Sequence, residues 1–91
     1  MLSLEAISAF ENELDGTIEM LMQLRSADYG FDVDVNKFIR RIEERVHGVV
    51  SMYEPLYEIL KSSVNHDPSV MSVLNRLVKK YNRMLNLCEP R

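Results

Sequence analysis

Residues 35–64 read VNKFIRRIEERVHGVVSMYEPLYEILKSSV. Apolar side chains recur in this stretch at Val35, Phe38, Ile39, Ile42, Val46, Val49, Val50, Tyr53, Leu56, Tyr57, Leu60 and Val64. At about 100° per residue they all fall within roughly 120° of arc, the stripe of an amphipathic α-helix. Pro55 lies inside the run, where a proline normally costs about 3 kcal/mol and kinks or ends the helix. The apolar phase nevertheless passes through it without a slip, and Pro55 maps nearly opposite the stripe. The spacing therefore predicts one long helix over 35–64, bent at Pro55 with the ring toward solvent. Asp34 or Asn36 is placed to cap its start.

The flanking segments carry shorter stripes of the same kind. Leu4, Ile7, Phe10, Leu14, Ile18, Leu21 and Met22 share one face of a helix over 3–26. Ser3 can cap it, and Gly16 weakens it by about 1 kcal/mol relative to alanine. Ser26-Ala27-Asp28-Tyr29-Gly30 reads as its stop, because glycine tolerates the positive φ that often ends a helix. The third stripe is Val70, Leu74, Leu77, Val78, Tyr81, Met84, Leu85 and Cys88. Asp67-Pro68 reads as a cap followed by proline at the first helical position, giving a helix over 68–87 closed by Glu89-Pro90. The connection from Val64 to Asp67 is short enough to force an antiparallel return, so the C-terminal half is a helical hairpin. The expectation is a single all-α domain over 1–91, three helices arranged up-down-up.

Composition narrows the class further. A chain of 91 residues builds one core and buries only about two thirds of its unfolded surface, which favours oligomerisation or a partner. Apolar residues at 46% exceed what a disordered chain carries. The single cysteine, Cys88, excludes a disulfide within the chain and any multi-cysteine metal site. The opening residues lack a basic n-region with an apolar run behind it. No stretch approaches the roughly 20 apolar residues a membrane span needs, so a soluble, cytoplasmic protein is expected.

Motifs for catalysis or metal binding fail on inspection. Asp32, Asp34, Asn36 and Glu43 match part of a calcium loop, but Lys37 stands where the sharp turn needs glycine. Glu44 and His47 have the Glu-x-x-His spacing of metal-binding bundles. His47 lies outside the apolar arc, however, and His66 falls in the short connection, so too few ligands converge. A phosphorelay histidine would be followed one turn on by lysine and glycine, where this chain has Val50 and Ser51. Cys88 has neither histidine near it in sequence, and the glycines are isolated rather than forming a phosphate loop. No catalytic residue, metal site or cofactor is expected, and the chain reads as non-enzymatic.

Charge and methionine carry the remaining information. The net charge of −3 divides into −7 over residues 1–34, +1 over 35–64 and +3 over 65–91. Arg76, Lys79, Lys80 and Arg83 lie almost opposite the apolar stripe of the third helix. They read first as a solvated face able to pair with the acidic first helix, and second as a phosphate or nucleic-acid contact. Met20 with Leu24, and Met52 with Ile59, form apolar sides beside the main stripes, and flexible thioethers suit adaptable partner surfaces. The expected function is a non-enzymatic protein–protein interaction module: a small adaptor, chaperone, inhibitor or immunity-type regulator. Its expected partners are itself, as a dimer through Met20 and Leu24, or another protein. A nucleic-acid-associated regulator is the alternative.

Overall fold

A computed structural model describes residues 3–26 and 34–89. It contains three helices, α1 (Leu4–Ser26), α2 (Val35–Ser63) and α3 (Val70–Cys88), and no strand among the described residues. Each helix begins where local chemistry satisfies its free N–H groups. The Ser3 hydroxyl accepts from the Ala6 amide at 3.1 Å. The Asp34 carboxylate accepts from the amides of Asn36 and Lys37, at 3.0 and 3.3 Å. α2 is helical without interruption through Pro55, which is exposed. The glycine stop at Ala27–Gly30 and the first two residues of the calcium-like run lie outside the described residues. The remainder of that run, from Val35 onward, is helix rather than loop.

α3 begins later than its sequence suggests. Instead of capping a helix that starts at Pro68, the Asp67 carboxylate accepts from the Ser69 amide and hydroxyl, at 3.1 and 2.6 Å. Val70 and Met71 donate to the carbonyls three residues back, a tight turn that delays the α-helix to Val70. The helix runs to Cys88, where Glu89 takes the extended backbone favoured before proline.

The core is built from one part of each stripe. α1 buries Phe10, Leu14, Ile18 and Leu21; α2 buries Ile42, Val49, Leu56 and Leu60; α3 buries Leu74, Leu77 and Met84. Each such side chain contributes about 1.5–3 kcal/mol by leaving water. Thr17 is the buried polar residue, and its hydroxyl donates to the Glu13 carbonyl at 2.7 Å, which offsets its desolvation. Other members of the stripes fare differently. Leu4 is 82% exposed and Met22 46%, although both share the apolar arc of α1. Val35, Val50, Leu85 and Cys88 are likewise exposed. They sit at helix ends or on the flanks of the arc, where no neighbouring helix reaches.

Interhelical contacts follow a regular order. Along α1, Glu11 meets Arg76 and Lys80, Asp15 meets Lys80, Met22 meets Arg83, and Arg25 meets Asn86 and Leu87. Against α2 the order reverses: Phe10 lies by Tyr53, and Met20 by Arg45. α2 and α3 share the fewest close approaches of the three pairs. They meet where the Tyr53 and Tyr81 rings stack, with centroids 3.6 Å apart.

Candidate interaction groove

Below the tyrosine stack, toward the C-terminal end of α3, an open groove of about 500 Å³ runs along the bundle. Leu21 and Leu24 of α1, Ile39, Val46 and Val50 of α2, and Leu87 of α3 line it. Its walls are aliphatic, and the polar groups at its edge are Glu43 and His47, one turn apart on α2, with the Cys88 thiol at its lower end. Val50 remains 40% exposed. Leu85, at 38%, lies on the flank of the α3 stripe nearest Tyr81. The Tyr81 hydroxyl is pushed up mainly by burial and then by the charge of Glu54. An aliphatic trough bordered by a few polar groups accepts the apolar face of another helix.

The Cys88 thiol is pushed up by partial burial, against an opposing pull from Arg25. A thiol held in its protonated form is a poor nucleophile, which fits an apolar wall better than a reactive centre. Among the described residues no group of three or more histidine, cysteine, aspartate or glutamate side chains is arranged to hold a metal ion. Glu44 and His47 are both exposed. No described helix is long and apolar enough to cross a membrane.

The residues singled out for partner binding divide between two places. Leu24 lines the groove of about 500 Å³. Met52 and Ile59, 49% and 44% exposed, instead line a smaller groove of about 350 Å³ between α1 and α2, with Ala6, Phe10 and Pro55. Met20 is half-buried against the core, and its sulfur lies 3.3 Å from the Arg45 guanidinium. Leu24 on one side and Met52 with Ile59 on the other thus line different grooves. Val50 lies at the very edge of the α2 arc, which is the sequence signal that it escapes the packed face.

The basic residues of α3 are largely engaged within the chain. The Arg76 guanidinium grips Glu11 at 2.6 and 3.1 Å, and the Lys80 ammonium bridges Glu11 and Asp15, both at 2.9 Å. Hydrogen bonds from Arg76 and then Lys80 hold the Glu11 carboxyl below the ordinary carboxylate range. Arg83 lies against the Met22 sulfur at 3.3 Å, and Lys79 is exposed. Glu11 and Asp15 of α1 are thus paired with Arg76 and Lys80 of α3 inside one molecule. Comparison with models of protein families, with curated proteins and with solved structures finds no match to this chain.

Proposed function

We propose that this protein is a non-enzymatic protein–protein interaction module that receives a helix of a partner in the groove lined by all three helices. The observation that carries this reading is the aliphatic trough of about 500 Å³, which no described helix covers. Small adaptors, chaperones, inhibitors and immunity-type regulators act through surfaces of this kind. In this reading the helices run up, down and up, which the ordered contacts of α1 with α3 and their reversal against α2 support. Pro55 bends α2 outward, since an exposed proline lacks the N–H that would close the helix on its solvent side.

Isolation of the tagged protein from its native host, alongside Val50→Glu, tests the proposal. A chain that co-purifies with the wild type and is lost with Val50→Glu is the expected result. A set of co-purifying chains that ignores the substitution would overturn it.

The nucleic-acid reading has weaker support. Arg76 and Lys80 would have to leave Glu11 and Asp15 to reach phosphate. Salt-sensitive DNA binding lost on Lys79→Ala and Arg83→Ala would favour that reading instead.

A further inference from the structure

We propose that the helix received by the groove is α2 of a second copy of this chain, the two α2 helices lying antiparallel about His47. The proposal rests on the protein-interaction reading and names its partner. The first argument is surface. A compact monomer of 10.6 kDa exposes about 5,500 Å². This chain exposes 6576 Å². The excess is of the order of the roughly 800 Å² that each partner contributes to a standard interface. The long dimension of the molecule, 51 Å against 23 and 16 Å, spreads that surface along the helices rather than around a globule.

The second argument is charge. Arg40 precedes His47 by seven residues and Glu54 follows it by seven, so the three lie along one side of α2. Two α2 helices packed antiparallel with their His47 residues opposed bring Arg40 of each copy to Glu54 of the other. Glu43, one turn before His47, then lies diagonally across from His47 of the second copy. The apolar side chains beside these polar positions are Val46 and Val50, with Leu24 of α1 and Leu87 of α3 further along the same trough. Two copies of one trough would close over each other with an aliphatic centre and a paired polar rim. This is the isologous arrangement of a two-fold dimer. Glu11, Asp15, Arg76 and Lys80 take no part, because they are already paired within each chain.

Sedimentation equilibrium of the full chain from low to high micromolar concentration tests the proposal. The wild type is expected to be a dimer, and Val50→Glu a monomer with unchanged helical circular dichroism. Arg40→Glu and Glu54→Arg should each weaken the dimer by about tenfold or more in Kd, and the combined swap should recover most of that loss. The swap decides the matter even where Val50→Glu fails to fold. A wild type that stays monomeric overturns the second-copy proposal, as does a dimer indifferent to the charge reversals or a swap that restores nothing. A monomer that still captures a foreign chain through Val50 leaves the interaction reading standing. A monomer whose co-purifying chains ignore Val50→Glu overturns both.

Discussion

The rings of Tyr53 and Tyr81 lie 3.6 Å apart at an interplanar angle of 4°, joining the middle of α2 to the middle of α3. Tyr57 and Phe10 extend the cluster, each in a tilted contact with Tyr53. Tyr53→Ala is therefore expected to cost about 2–3 kcal/mol in urea denaturation, and Tyr53→Phe under about 1 kcal/mol. Burial pushes both hydroxyls up, so the folded state favours their neutral forms. Their contribution is complete below the ordinary tyrosine pKa of about 10 and is lost as pH rises beyond it. Alkaline unfolding of the wild type should weaken on Tyr81→Phe.

Leu77 and Ile42 test the face assignments of α3 and α2. Both are buried, and truncation of either to alanine should cost about 2–5 kcal/mol. Lys80→Ala should cost about 1 kcal/mol or less, since it removes an ion pair at the rim of the bundle rather than core volume. Equal denaturation midpoints for Ile42→Ala and Lys80→Ala would contradict the packing described.

Glu11 predicts an acid-side effect. Its folded-state carboxyl is held low by Arg76 and Lys80, so the charged form stabilises the fold. That stability is present above the ordinary glutamate pKa of about 4.3 and disappears as pH falls through the lowered folded value. Glu11→Gln should cost about 1 kcal/mol near neutrality, and its stability curve should converge on that of the wild type in acid.

Backbone effects separate two glycines and a proline. A side chain added at Gly48 meets nothing within 4 Å, whereas one at Gly16 meets the Arg45 guanidinium at 3.4 Å. Gly48→Ala should therefore stabilise by close to the helix-propensity gain of about 1 kcal/mol, and Gly16→Ala by less. Pro55→Ala restores the N–H missing from α2 and should also stabilise, by about 1 kcal/mol or more. Thermal melts of the three variants supply the check.

Much of the helical pattern was legible because spacing at 3.6 residues reports burial directly. Phe10, Leu14, Ile42, Leu56 and Leu77 are core on both readings. Caps at Ser3 and Asp34 were legible because they depend on neighbours within three residues. The start of α3 was not, because Asp67 can serve either a helix or a tight turn, and its contact with Ser69 decides between them. The groove was illegible for another reason. Leu24, Val50 and Leu87 belong to three different helices, and a stripe drawn on one helix cannot show what its neighbours leave uncovered. The pairing of Glu11 with Arg76 was readable only as opposite charge on two segments, since its partners are 65 residues apart.

Arg25 donates from the last turn of α1 to the carbonyls of Asn86, Leu87 and Glu89, more than sixty residues further along. The Asn86 carbonyl also accepts from the Glu89 amide at 3.3 Å, and the guanidinium serves the Leu87 and Glu89 carbonyls beside it, so one side chain joins the ends of two helices. The consequence concerns the order of events during synthesis. α1 leaves the ribosome first, yet its final contacts exist only after the last turn of α3 has been made. At typical elongation rates the side of α1 that faces α3 waits several seconds for its partner, on the order of the time needed to add about sixty residues. A nascent chain stalled before Asn86 should then be open to protease along α1, and release of the last turn should close it in one step.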